Sequence, residues 1–198
     1  MKKIFSTMTL LGALCGTASA APYYTAVPQS GDLTPYDMQP VYSIDALYSI
    51  DAGDTDLDMW GVRGSFNLYN SGEATFRHQF SLNVDAKWGD LDEYAPGASA
   101  DVFMLPVTVG YDLNIELADD VMFYVGGKAG YSWGHIDSRF SNLDGNAFTW
   151  SVGAGLKVQC SDDVYVKAGY EFGRSYFRGD MRDIYGAHTI IVGVGVTF

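Results

Sequence analysis

The stretch Phe76–Trp88, FRHQFSLNVDAKW, decides the fold of this chain. Its even-numbered positions carry apolar side chains, with His78 as the exception, and its odd-numbered positions carry polar ones. This alternation predicts a β-strand with one apolar and one polar face. The stretch is about twice as long as a globular strand of roughly five or six residues. The apolar face must meet either a protein core or lipid.

Seven further segments share the alternation. The eight predicted strands are Val41–Asp51, Met59–Tyr69, Phe76–Trp88, Val102–Leu113, Val121–Trp133, Phe148–Cys160, Val164–Phe172 and Ala187–Phe198. No segment with a helical period competes with them, so the sequence predicts an all-β chain of eight antiparallel strands. Short turns alternate with longer connections, as in outer-membrane barrels whose long connections face outward.

The N-terminus has the features of an export signal. Two lysines precede a short apolar run, and Ala18-Ser19-Ala20 supplies the small residues of a cleavage site. We therefore expect a signal peptide at 1–20, cleaved after Ala20 and too short to span a bilayer. Residues 21–40 contain four prolines and no sustained period, which predicts an irregular periplasmic segment before a barrel at 41–198.

Composition excludes several classes of function. A net charge of −12 makes the chain a poor candidate for binding nucleic acid. After removal of the signal peptide Cys160 is the only cysteine, so we expect no intramolecular disulfide and no cysteine-based metal site. Charged residues make up 18% of the chain, below the roughly 25% of soluble domains. We predict no cofactor.

Three features place the apolar face against lipid rather than inside a soluble barrel. Its many aromatic rings would overfill an eight-stranded lumen. The polar face of the last four strands is mostly Gly, Ser and Thr, whereas a soluble surface needs many more charges. The third feature is an aromatic belt predicted at the outer lipid–water boundary. Its members are Tyr48, Trp60, Trp88, Trp133, Trp150 and Tyr170.

The C-terminal stretch IIVGVGVTF carries a family resemblance. Gly193, Val196 and Phe198 match the glycine, hydrophobe and terminal aromatic of outer-membrane barrels, although Ile191 stands where a polar residue is usual. With eight strands and a signal peptide, the chain resembles the small OmpA-like and opacity-type barrels of Gram-negative outer membranes. The resemblance implies contact with outer-membrane lipid and lipopolysaccharide, recognition of the last strand by the barrel-assembly machinery, and a monomer.

Charged residues on the polar face would be enclosed in the lumen. The predicted ion-pair network consists of Asp45, Arg63, Arg77, Asp85, Lys87, Asp112, Lys128, Lys157, Lys167 and Glu171. These residues would form either a plug or a charge-lined pore. We favour the plug because an eight-stranded lumen is only just wide enough for side chains. The alternative is a small diffusion channel.

An enzymatic alternative rests on one outer segment. His135, Asp137 and Ser138 are residue types of a hydrolytic triad, and some small barrels modify lipid A. The His-x-Ser-Asn pattern of the deacylases is absent, so we do not predict an enzyme. The acidic stretches 51–58 and 90–93 lack the glycine and closing glutamate of a calcium loop, and we predict a solvated rim and no metal site.

The leading hypothesis is a structural or surface-interaction protein. Variable segments on a rigid scaffold are where binding usually resides. The predicted outer loops 134–147 and 174–186 mix aromatic, basic and acidic residues, as a contact surface for a host or surface ligand would. Adhesion and support of envelope integrity are the two roles considered.

Overall fold

The computed structural model of the protein describes residues 41–52, 57–72, 76–95, 98–118, 120–138, 142–161, 163–179 and 184–197. The predicted signal peptide at 1–20, the predicted periplasmic segment at 21–40 and Phe198 lie outside the described residues. The domain boundaries and the cleavage site therefore stay predictions.

Eight antiparallel strands close into one barrel in chain order, which confirms the predicted fold. The ring is completed by the antiparallel pairing of the first strand with the last. The strands are β1 Val41–Asp51, β2 Met59–Gly72, β3 Phe76–Ala95, β4 Ala98–Ala118, β5 Val121–Ser138, β6 Asn142–Ser161, β7 Val164–Gly179 and β8 Ile184–Thr197. Among the described residues no helix is both long and apolar enough to cross a bilayer.

Most strands are longer than the sequence predicts, mainly at one end of the barrel, although β2 and β4 also extend at the other end. β3, β4 and β6 contain 20, 21 and 20 residues, whereas a transmembrane strand needs about 9–11. The prediction of loops at 134–147 and 174–186 is therefore wrong over most of both ranges. Gly134 and Asp137 look like turn residues, yet Gly134 pairs with Gly145 and Asp137 with Asn142 on β6. We assign this extended end to the outside of the cell.

The two faces of the sheet differ in exposure, as the alternation predicts. Trp60, Trp88 and Trp133 point outward and are 51%, 47% and 52% exposed, respectively. Asp45 and Arg63 point into the barrel and are 0% and 3% exposed. A water-soluble protein places charged side chains outside and large rings inside, so the inverted arrangement identifies lipid as the outer solvent.

Glycines make room for charged side chains in the narrow lumen. Gly193 on β8 pairs in register with Asp45 on β1. A Cβ atom at Gly193 would overlap the Asp45 carboxylate, whereas one at the outward-facing Gly64 would meet nothing within 4 Å. Gly193 and Val196, two residues of the predicted assembly signal, lie on β8. Recognition of this strand by the assembly machinery stays a prediction, while the packing against Asp45 gives Gly193 a separate structural role.

We expect Gly193→Ala to lower the free energy of unfolding by about 1–3 kcal/mol, because the added methyl group displaces a buried carboxylate. Gly64→Ala is the matched control and should be neutral or stabilising, since its methyl group enters open space. Urea unfolding of protein refolded in detergent measures both without the assembly machinery. Equal stability of the two variants would contradict the packing role.

Candidate functional site

Four charged side chains from four strands meet across the middle of the lumen. Arg63 Nε lies 2.8 Å from Asp85 Oδ1, and Arg63 Nη1 lies 2.7 Å from Glu171 Oε1. Lys128 Nζ lies 2.7 Å from Glu171 Oε2. We call Arg63, Asp85, Lys128 and Glu171 the central ionic layer. Because β2, β3, β5 and β7 supply its members, the layer connects opposite walls of the barrel.

A second cluster of polar side chains lies nearer the periplasmic end of the lumen. Lys167 Nζ lies 2.6 Å from Asp45 Oδ2, and Lys157 Nζ lies 4.0 Å from Asp112 Oδ2. Lys157 also donates hydrogen bonds of 2.6 Å to Asn114 Oδ1 and 3.0 Å to Gln79 Oε1. The inner polar layer consists of Asp45, Gln79, Asp112, Asn114, Lys157 and Lys167. Neutral amides thus hydrogen-bond a buried ammonium group whose ion pair with Asp112 is long.

Two residues of the predicted network are arranged differently. Lys87 points into the lumen, where its Nζ donates a hydrogen bond of 3.2 Å to Ser49 Oγ. Arg77 lies at the inner rim: its side chain is 55% exposed, and its Nη2 atom lies 3.8 Å from Glu116 Oε2. The structure therefore does not bring Arg77 into the lumen network. The alternation along β3 predicted the correct inward face for Arg77. However, Arg77 lies at the end of the strand, beyond the enclosed part of the lumen.

A cluster of apolar side chains fills the barrel above the central ionic layer, at the extracellular end. We call it the apolar cap: Leu57, Met59, Val102, Met104, Tyr185 and Ala187. Leu91, Ile136 and Phe177 pack against it. Met59 is fully buried, and the Tyr185 hydroxyl donates to the Leu57 carbonyl at 3.3 Å. Burial raises the pKa of the Tyr185 phenol further above its ordinary value.

Sequence reasoning missed the apolar cap because it treated the inward face as polar throughout. On β2, Met59 points to the same side of the sheet as the inward-facing Arg63. In the same way, Met104 shares the side of Thr108 on β4, and Tyr185 shares the side of Thr189 on β8. Apolar residues at inward parity, gathered near the outer ends of β2, β4 and β8, were the signal that could have revealed it.

The residues of the predicted aromatic belt lie on the outward face near the extracellular side. Tyr48, Trp60, Trp88 and Phe103 are neighbours in register on β1 to β4. The Tyr48 and Trp60 ring centroids are 4.4 Å apart. Tyr48 also donates a hydrogen bond of 2.9 Å to Asp58 Oδ2, with its hydroxyl toward the water side of the belt. Such amphipathic rings suit a lipid–water boundary.

The three triad-like residues do not converge. His135, Asp137 and Ser138 lie on β5 rather than in a loop. His135 and Asp137 share the outward face, whereas Ser138 has the opposite parity. The carboxylate partner of His135 is Asp144 on β6, at 2.7 Å. This arrangement offers a paired imidazole on the outer surface, whereas Ser132 and Ser138, the serines of β5, have the opposite parity.

Acidic side chains face one another on the outside of the extended end. Asp90 pairs in register with Asp101, and Asp101 with Asp137, so three neighbouring strands present carboxylates in one row. All three residues are exposed. Within the described residues no group of three or more His, Cys, Asp or Glu side chains is arranged to hold a metal ion.

The family follows from a comparison of the sequence with family models. Residues 8–198 match the model described as the outer membrane protein beta-barrel domain. The chain belongs to this outer-membrane β-barrel family. Its location is therefore the outer membrane, as the signal peptide and the inverted faces predicted. A comparison with curated protein sequences gives no match.

Solved structures share the fold at low sequence identity. Neisserial surface protein A has a TM-score of 0.60 and 16% identity, covering 80% of this chain and 97% of that one. Ail, the attachment invasion locus protein of Yersinia pestis, in complex with the heparin analogue sucrose octasulfate, has a TM-score of 0.53, 15% identity and coverages of 81% and 97%. The outer membrane enzyme PagL has a TM-score of 0.52, 11% identity and coverages of 76% and 97%.

We expect Arg63→Gln to lower the free energy of unfolding by about 3–5 kcal/mol, because it removes the shared partner of two buried carboxylates. Arg77→Gln is the matched control and should cost below about 1 kcal/mol, since its ion pair is long and exposed. Tryptophan fluorescence during urea unfolding in lipid vesicles measures both. A loss for Arg63→Gln no larger than that for Arg77→Gln would remove the central ionic layer as a source of stability.

Proposed function

We propose that this outer-membrane barrel is a closed scaffold that presents a rigid contact surface outside the cell. The observation that carries the proposal is the position of the apolar cap above the central ionic layer, on its extracellular side. The cap seals the extracellular mouth against ions, and the ionic layer fills the lumen beneath it. A barrel closed in this way supports the envelope mechanically and makes contacts through its outer surface. It does not act as a transporter.

Two small cavities on either side of the central ionic layer support closure. One cavity of about 40 Å³ borders Met104 and Tyr185 of the apolar cap, and another of about 40 Å³ borders Asp112 and Lys157 of the inner polar layer. The side chains of Arg63, Lys128 and Glu171 line both cavities and lie between them. Each cavity holds a few water molecules at most, and ions would have to disrupt the central ionic layer to cross.

The extended end supports a role in surface contact. The apolar cap gives the strands a packed core beyond the lipid, so their outer faces form a fixed surface rather than mobile loops. Asp90, Asp101 and Asp137 present facing carboxylates on that surface, an arrangement that costs stability. We infer that this acidic face is retained for contact with a partner. We further propose that the protein acts as a monomer.

The enzymatic alternative has less support in this chain. The likeness to PagL concerns the fold alone. A hydrolytic triad needs a nucleophile within hydrogen-bond reach of its base. The His135–Asp144 pair has no serine on its own face of β5, so we favour the scaffold over a lipid-modifying enzyme.

We expect the purified mature protein in a planar bilayer to show no steady conductance. A variant combining Met59→Ser, Met104→Ser, Arg63→Ser and Glu171→Ser should conduct, because it opens the cap and removes a charge-balanced pair below it. The matched control combines Val62→Ser and Val84→Ser on the outward face and should stay closed. Reproducible ion-selective steps from the unmodified protein would overturn the closed lumen and favour a diffusion channel.

We expect shortening of the β5–β6 hairpin to abolish surface contact while the barrel still folds. The variant removes residues 136–143 and joins His135 to Asp144, which already face each other, through an Asn-Gly turn. A control replaces the periplasmic turn residues 162–163 with Asn-Gly. Complementation of a deletion strain, scored for surface adhesion and detergent sensitivity, measures the effect. Wild-type behaviour of the shortened variant in both assays would contradict a contact role for this hairpin.

A further inference from the structure

The positive charges of this acidic protein have an uneven placement. Arg63, Lys87, Lys128, Lys157 and Lys167 point into the lumen, and Arg77 lies at the inner rim. Among the described residues, the basic side chains that point outward are Arg174 and Arg178, both exposed and both near the extracellular end of β7. They share the outward parity of Tyr170 and Phe172 on the same strand.

Arg174 lies on an aromatic platform at the level of the outer belt. It pairs in register with Trp150 of β6, and its guanidinium carbon lies 5.7 Å from the Phe172 ring centroid. The Phe172 ring centroid is 6.2 Å from that of Trp150 and 5.3 Å from that of His188. The rings hold the arginine stem and orient the planar guanidinium along the surface of the barrel.

Both guanidinium groups lack a protein counter-charge in the described part of the chain, where no ion pair involves Arg174 or Arg178. This is unusual because the protein has twice as many acidic as basic residues. The acidic row of Asp90, Asp101 and Asp137 lies on β3 to β5 rather than on β7. The exposed carboxylate of Asp144, on the neighbouring strand β6, has His135 as its partner at 2.7 Å. The surface around Arg174 is thus a local positive patch, complementary to an anion supplied from outside the chain.

The position of the patch identifies the chemistry of that anion. Belt aromatics lie where hydrocarbon meets the lipid headgroups, so Arg174 lies at headgroup depth. The anionic groups at this depth are phosphates, which the planar guanidinium fork binds bidentately. Arg178 follows four residues later, about 13 Å along the strand, with the exposed Tyr176 between them. Two cations with an aromatic face between them suit a phosphorylated sugar headgroup.

We propose that Arg174 and Arg178 bind the phosphate groups of an anionic outer-leaflet glycolipid of the lipid A type. Trp150, Phe172 and Tyr176 provide the apolar faces on which its sugar ring and acyl chains pack. The site depends on the outer-membrane location and on the outward direction of the extended end. It is independent of the closed lumen and of any partner at the hairpins.

The test uses the full mature chain, folded in detergent and titrated with bisphosphorylated lipid A in the same detergent. Microscale thermophoresis reports the dissociation constant. Arg174→Gln should weaken binding about tenfold, and the double variant with Arg178→Gln more strongly, since each removes a charge-assisted contact. Arg77→Gln makes the same chemical change at the opposite rim and should stay within about twofold of the unmodified protein. Because the substituted side chains are exposed, the variants should fold. A change in gel migration on heating checks that each variant is folded before the titration.

Two further arms identify the ligand. Loss of the phosphates should weaken binding at least as much as loss of Arg174. The dissociation constant of dephosphorylated lipid A for the unmodified protein should therefore be at least as high as that of bisphosphorylated lipid A for the Arg174→Gln variant. Inorganic phosphate at millimolar concentration should not displace lipid A, because it lacks the sugar and acyl contacts. Undiminished binding by Arg174→Gln, an equal loss in Arg77→Gln, or full binding of the dephosphorylated lipid would each overturn the proposal. Displacement by inorganic phosphate would overturn the lipid as its source and indicate a site for free phosphate.

Discussion

The structure depends on one constraint: lipid offers no hydrogen bonds, so every polar group within the membrane must find its partner inside the protein. The backbone meets this constraint by closure, since pairing of β1 with β8 leaves no unpaired strand edge. The side chains meet it through their alternation, which sends Arg63 and Asp85 inward and the rings of Trp60 and Trp88 outward. Closure makes the lumen narrow, and a narrow lumen forces its charges together.

The packing of the lumen follows from that narrowness. Glycines give charged side chains room in the lumen, as Gly193 does beside Asp45 and Gly153 beside Glu171. In the central ionic layer Arg63 satisfies two carboxylates at once, and Lys128 shares one of them. Removing charges from water costs free energy, but within a membrane the alternative is an unpaired charge near hydrocarbon, which costs more. The contacts that we expect to stabilise the fold are therefore the same contacts that we propose to block the lumen.

The two ends of the barrel differ in what they present. Toward the periplasm the lumen contains amides and ion pairs such as Lys157–Asn114, and Arg77 lies exposed at the rim. Toward the outside the apolar cap replaces polar groups, which allows strands to continue past the lipid with a packed core of their own. The outer surface of this extension carries acidic side chains on β3 to β6 and basic ones on β7. This uneven surface is the basis of the two contacts that we propose, with lipid headgroups on one side and with a partner on another.

The sequence by itself determined the number of strands, their antiparallel order and the face of each residue, because period two and a lipid solvent leave one consistent arrangement. It also placed Arg63, Asp85, Lys128 and Glu171 in one lumen. Only the tertiary structure decided the partners, since Arg63 meets Glu171 across a separation of 108 residues that depends on the register of every strand between them. The same register pairs His135 with Asp144, gathers the apolar cap, and turns the predicted loops into strands. Alternation along a chain records which way a side chain points, whereas its neighbours depend on how the closed sheet is staggered.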